Sequence, residues 1–164
     1  MKGIILYKSR NGATRQYAQW LEEETGFPAL ELAKAAIKDI KQADIVIFGC
    51  PVLANSIPVS QWIRKKWNVL KSKRVVLYTT SGALPQNPQL RKIFESSFEP
   101  EISGNIQYFP QGGRMIFKKL NRMDKILMRI GQAMEKNPVI KEKMLQDKDN
   151  VDRDGIKPIL QYVM

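Results

Sequence analysis

The sequence predicts an α/β fold: a doubly wound, five-stranded parallel sheet covered by helices, with a basic helical insertion after the fifth strand. Three observations predict it. Short apolar runs alternate with helical patterns along the chain. Those runs are continuous and rich in β-branched residues, as expected for strands buried on both faces. The 164 residues are enough for one domain with a full core, and they show no internal repeat, low-complexity tract or linker. Residues 1–164 are therefore expected to form a single domain.

The elements follow in order. Ile4–Tyr7 reads as a buried strand. An amphipathic helix runs from about Ala13 to Thr25, ended by Gly26 and Pro28. Ala29–Leu32 is a weak strand and Ala35–Gln42 a short helical piece. Asp44–Gly49 is a strongly apolar strand closed by Gly49. Val59–Val69, preceded by Pro58, reads as one helix. Arg74–Thr79 is the fourth strand, Pro88–Phe98 a helix, Asn105–Phe109 the fifth strand and Gly155–Val163 a closing helix. In such sheets ligands bind beyond the carboxyl ends of the strands. The loops there are residues 8–14, 50–57 and 79–86.

Composition excludes several chemistries. There is no histidine, which removes Ser-His-Asp triads, Cys-His pairs and His-ligated metals. A single cysteine, Cys50, rules out an internal disulfide, a zinc cluster or an iron–sulfur site. Cys50 itself reads as a buried thiol at a strand end. No metal site is expected, no side chain stands out as a catalytic base, and any redox chemistry would belong to an organic cofactor. No apolar run approaches the roughly 20 residues that span a bilayer, and no signal peptide is evident, so a cytoplasmic location is expected. The net charge of +11 suggests an anionic partner: nucleic acid, a membrane surface or an acidic substrate.

The first loop carries the clearest chemistry. Ser9, Arg10, Asn11, Gly12, Ala13 and Thr14 lie between a strand and the start of a helix. Backbone N–H groups and the helix dipole favour an anion at such a start. Gly12 permits close approach, and Ser9, Asn11 and Thr14 can donate hydrogen bonds. The loop has neither the Gly-Lys-Ser/Thr of a triphosphate loop nor the glycine spacing of a dinucleotide fold, so it suits one terminal phosphate monoester. An ordinary strand–turn–helix corner is the alternative. The second loop offers an apolar wall at Pro51, Val52, Leu53 and Ala54, with Asn55 as a polar contact. The third offers hydroxyls and a glycine at Thr79, Thr80, Ser81 and Gly82.

These loops and the strand order resemble the flavodoxin superfamily over nearly the whole length. The resemblance implies a flavodoxin-like sheet of order 2-1-3-4-5 with FMN bound at the three loops. Ser9, Gly12 and Thr14 match its phosphate pattern, while Asn11 stands where a hydroxyl residue is more usual. Many flavodoxins stack Trp or Tyr on the flavin, and apart from Tyr78 the two ring loops have none. An open ring face suits an enzyme that must admit a substrate.

Residues 114–136 read as a basic amphipathic helix. Ile116, Leu120, Met123, Leu127, Ile130 and Met134 share one face at about 100° per residue. Arg114, Lys118, Arg122, Lys125 and Arg129 fall opposite. Something is expected to cover the apolar stripe: the protein's own sheet, or an anionic membrane surface or acidic partner met by the basic face. Nucleic acid is disfavoured, because base-stacking aromatics are not interleaved with the basic residues. This segment also resembles the insertion of flavodoxin-type, menaquinone-dependent protoporphyrinogen oxidases.

The leading expectation is thus an FMN-dependent oxidoreductase that passes electrons from a reduced substrate to a quinone-type acceptor. The family resemblance implies protoporphyrinogen as the donor. One alternative is an electron carrier acting with a protein partner, and another is a non-enzymatic binding module on the same scaffold. If the membrane reading holds, the location is peripheral at the inner face of the membrane.

Overall fold

The computed structural model describes all 164 residues. Its centre is a five-stranded parallel sheet of β1 (Gly3–Tyr7), β2 (Ala29–Glu31), β3 (Ile45–Pro51), β4 (Arg74–Ser81) and β5 (Ile106–Gly112). The strands lie in the order β2-β1-β3-β4-β5, as the family resemblance implies. The crossovers carry α1 (Ala13–Thr25), α2 (Ile37–Gln42), α3 (Ser60–Lys65), α4 (Trp67–Leu70), α5 (Pro88–Ser97) and α6 (Pro100–Ser103). No helix is long and apolar enough to cross a membrane.

Strand parity builds two cores. Ile4, Leu6, Val46, Phe48, Val75 and Leu77 point to one face and pack with Ile63, Leu70, Ile93 and Phe94. Ile5, Tyr7, Ile45, Ile47, Val76 and Tyr78 point to the other and meet Tyr17, Ala18 and Leu21 of α1. Buried on both faces, these strands have no polar position to alternate with, which explains their continuous apolar runs.

Several boundaries differ from the sequence reading. The three central and edge strands β3, β4 and β5 run two or three residues further at their carboxyl ends. Gly49 does not close β3, because its backbone pairs with Tyr78 of β4 like its neighbours. Pro110 is tolerated because β5 is an edge strand whose outer side needs no donor. The single helix expected at Val59–Val69 is broken at Lys66, whose φ of −107° and ψ of 11° leave the helical region.

The largest difference lies after β5. Residues 114–136 are not one helix. Arg114–Met115 form a short strand, β6, followed by a 3₁₀ turn at Phe117–Lys119. Leu120 is extended, and Asn121 starts a new helix by accepting a hydrogen bond from Asp124 N–H at 2.8 Å. That helix, α7, spans Arg122–Met134. It is followed by α8 (Pro138–Lys143) and β7 (Lys148–Asp149), and β7 pairs antiparallel with β6. Ile116 and Leu120 therefore lie outside the helical stripe, and the insertion closes on itself over residues 114–149. The chain then makes a 3₁₀ turn at Arg153–Ile156 and ends in α9 (Lys157–Val163), which packs beside α1. The sheet does not cover α7, which has no buried residue.

Gly49 sits where β3 passes the Tyr78 ring, and a Cβ there would collide with that ring. Tyr78 is fully buried and cannot swing into solvent. Gly49→Ala should therefore destabilise the fold by about 1–3 kcal/mol, the usual cost of overpacking, seen as a lower urea midpoint with an unchanged slope.

Candidate functional site

The three predicted loops converge at the carboxyl ends of β1, β3 and β4 and line a cleft of about 530 Å³. Arg10, Asn11, Ala13 and Thr14 come from the first loop, and Pro51, Val52, Leu53 and Ala54 from the second. Thr80, Ser81 and Gly82 come from the third. No aromatic residue lines the cleft.

The first loop is built as a cradle. Gly12 precedes α1 with φ 84° and ψ −17°, a left-handed conformation that favours glycine. No side chain caps the helix, so the N–H groups of its first turn face the cleft end without an intrahelical acceptor. Ser9 Oγ is buried and has no hydrogen-bond partner. A hydroxyl in that state costs about 1–3 kcal/mol unless something fills its bond. Thr14 Oγ1 is already paired with Thr80 Oγ1 at 2.9 Å, which fastens the first loop to the third.

The second loop is a tight reversal. Leu53 and Ser56 exchange backbone hydrogen bonds of 3.0 and 2.9 Å across Ala54 and Asn55. Both of these have positive φ, 47° and 56°. This is the geometry of a two-residue turn with left-handed central residues. Asn tolerates it; Ala does not do so readily. Asn55 thus shapes the turn and lies outside the cleft lining. Val52 N–H donates to Thr80 O at 2.9 Å, so the loop's base is held by β4.

Thr79, expected at the site, points away from it. It shares parity with Val75 and Leu77, and its hydroxyl pairs with the Tyr108 hydroxyl at 2.8 Å in the core. Thr80, on the opposite face with Val76 and Tyr78, is the residue that reaches the cleft. Ser9 and Gly12 shape the cradle without lining the cleft wall.

None of the site residues expected from sequence belongs to the far wall. Gly113, Arg114, Met115, Leu120, Asp124, Leu127, Met128, Met144 and Lys148 come from the insertion. Arg10 of the first loop and Asp124 of α7 form an ion pair at 2.7 Å across the cleft mouth. Arg114 Nε pairs with Asp149 at 3.0 Å and holds that carboxyl below its usual range. Gly113 N–H donates to Ser81 O at 2.7 Å, and a Cβ on Gly113 would lie 2.8 Å from that oxygen. Only the Gly-Gly pair in the sequence hinted at this approach. Cys50 takes no part: burial pushes its thiol up to about 12, so it carries no thiolate at neutral pH.

The flavodoxin domain family matches residues 4–140. The chain belongs to that family. Among solved structures, the flavodoxin-domain fold is shared with the Trp repressor binding protein from Bacillus subtilis, at 19% identity and TM-score 0.51. That match covers 90% of this chain and 100% of the other. A protein from Bacteroides eggerthii provisionally described as a flavoprotein is 15% identical with TM-score 0.49, covering 79% and 96%. A flavodoxin from the domain Archaea is 12% identical with TM-score 0.42, covering 89% and 100%. At these identities the likeness is one of fold. No curated protein matches the chain.

Ala54→Gly should relieve the left-handed strain of the second loop. The expected gain is about 1 kcal/mol in unfolding free energy, measured by urea denaturation. A loss of stability would mean that the turn holds no such strain.

Proposed function

We propose that this flavodoxin-domain protein binds one FMN in the cleft and passes electrons from a reduced small-molecule donor to a quinone-type acceptor. The observation that carries the reading is the Ser9 hydroxyl, buried without a partner beside an uncapped helix start and a left-handed glycine. A phosphate monoester supplies the acceptor that Ser9 lacks and accepts from the first N–H groups of α1. Asn11 can add its amide donor, and the helix dipole favours the charge. The loop lacks the glycine spacing of a dinucleotide fold, which favours FMN, with its single phosphate, over a dinucleotide.

FMN bound there supplies redox chemistry that no side chain of this chain offers. The chain's own residues bind and orient. Val52 and Leu53 on one side and Leu120, Leu127, Met128 and Met144 on the other form apolar walls that exclude water from a flat ring. Ser81 offers a hydroxyl at the polar edge. The walls on the insertion side are flexible Leu and Met side chains instead of a stacked aromatic, and such walls can yield to an incoming substrate. That supports an enzyme over a carrier whose ring is permanently covered.

The donor we propose is a reduced tetrapyrrole bearing carboxylates, such as protoporphyrinogen, with menaquinone as the acceptor. Supporting this reading, a hollow of about 200 Å³ adjoins the phosphate loop and is lined by Arg10, Asn11, Arg114, Ile116 and Lys119. Two guanidiniums and an ammonium suit carboxylate arms, which would compete with Asp124 for Arg10 and with Asp149 for Arg114.

Ser9→Ala should weaken FMN binding about tenfold or more, the value of a charge-assisted hydrogen bond of about 1.5–3 kcal/mol. Riboflavin, which lacks the phosphate, should bind both forms alike. Titrating apo-protein with both ligands tests the assignment, and equal losses would overturn it.

Stopped-flow mixing tests the reaction. Protoporphyrinogen should bleach the bound flavin, and a soluble menaquinone analogue should restore its colour with no other protein present. Failure of both half-reactions, with rapid electron exchange with a reductase protein, would make the chain a carrier.

A further inference from the structure

We infer that the outward face of α7, extended by α8, docks on the surface of an anionic lipid bilayer. The helix is inverted with respect to its own protein. Its polar residues are engaged away from that face: Asp124 meets Arg10 of the body, while within the insertion Lys125 Nζ donates to Lys118 O at 3.1 Å and Gln132 Nε2 to Lys141 O at 3.0 Å. Its large apolar residues turn out. Met123, Ile126, Leu127, Ile130 and Met134 are 63%, 53%, 57%, 51% and 75% exposed. At about 100° per residue these five fall within an arc of about 100°. Val139 and Ile140 of α8 are also exposed. Ordinary helices do the reverse, burying their apolar stripe on the core. The exposed stripe is on the order of 500 Å², at the upper end of what monomers leave in water.

Charge chooses the occupant. On the helical wheel Arg122 and Arg129 flank the apolar arc, and Lys118 and Lys119 precede it. Lys125 and Arg129 lie over the Phe117 ring at 6.0 and 5.7 Å. Basic residues beside an apolar arc, on a helix too short to span, are the pattern of a helix lying in a lipid interface. A second copy would bring its own net charge of +11 against the same basic flanks. A protein partner is disfavoured because the arc carries no Trp, Tyr or pocketed Arg anchor of the kind that concentrates binding energy. Leu127 belongs both to the arc and to the cleft lining, so the apolar surface runs from the bilayer side into the cleft. Docked this way, the cleft opens beside the lipid.

The test is sedimentation of purified full-length protein with phosphatidylcholine vesicles, with and without phosphatidylglycerol, at low salt. Two variants are compared, each altered only outside the cleft lining: Lys118→Glu/Arg122→Glu/Arg129→Glu, and Ile126→Gln/Ile130→Gln/Met134→Gln. Wild type should bind the phosphatidylglycerol vesicles at least tenfold more tightly than phosphatidylcholine alone, and each variant should lose at least tenfold. Circular dichroism and FMN affinity should stay unchanged, which separates docking from folding and from the cofactor reading. Three results would overturn the proposal. The first is no binding of wild type to anionic vesicles. The second is full binding by the Gln variant, which would make the attraction a property of net charge alone. The third is a wild-type dimer in solution that the Gln variant dissolves.

Discussion

A buried hydroxyl pair between Thr14 and Thr80, 2.9 Å apart, ties the start of α1 to the end of β4. The Tyr78 hydroxyl reinforces it by donating to Thr14 O at 2.8 Å from the next position on the same face. Each bond is worth only about 0.5–1.5 kcal/mol net, but leaving its groups unpaired in the core would cost about 1–3 kcal/mol. The helix start therefore has one stable seat on the sheet. Val52 N–H on Thr80 O and Gly113 N–H on Ser81 O bring the second loop and the insertion to the same strand end. The cleft exists because three segments, the start of α1, the second loop and the insertion, are fastened to Thr80 and Ser81 at the end of β4.

The insertion is held differently. Its stems are clasped by Tyr17, whose hydroxyl donates to Gly112 O at 2.9 Å and accepts from Asp152 N–H at 3.0 Å. Between the stems, contact with the body runs through polar groups such as the Arg10–Asp124 pair, partly exposed and so worth about 0–1 kcal/mol. A wall joined so lightly can shift by small amounts at low cost, while its anchored stems keep it over the cleft. This light attachment also leaves the apolar side of α7 available to an outside surface.

Charge runs through both features. Residues 114–136 hold seven Lys/Arg and two Asp/Glu, a net +5 of the chain's +11. Part of this charge lines the hollow beside the phosphate loop, and part flanks the outward arc of α7. The same segment thus places cations on both of its sides, beside the first loop and along the outward arc of α7.

What the sequence determined by itself was the scaffold and most of the near wall. Runs such as Ile45–Phe48 and Val75–Tyr78 are apolar at every position because both faces of a parallel strand are buried, and that pattern is local. The turn into α1 was legible for the same reason, since Ser9, Gly12 and α1 are neighbours along the chain. Tertiary structure decided the rest. Thr79 and Thr80 look interchangeable in sequence, but the pleat sends one to Tyr108 and the other to the cleft. Asn121 caps a new helix only because the chain before it is drawn into the β6–β7 pair, whose partner lies more than thirty residues away. And no periodicity could say which side of α7 would face the protein. The spacing defined an apolar stripe, while the pairing of Asp124 with Arg10 of the body left that stripe on the outside.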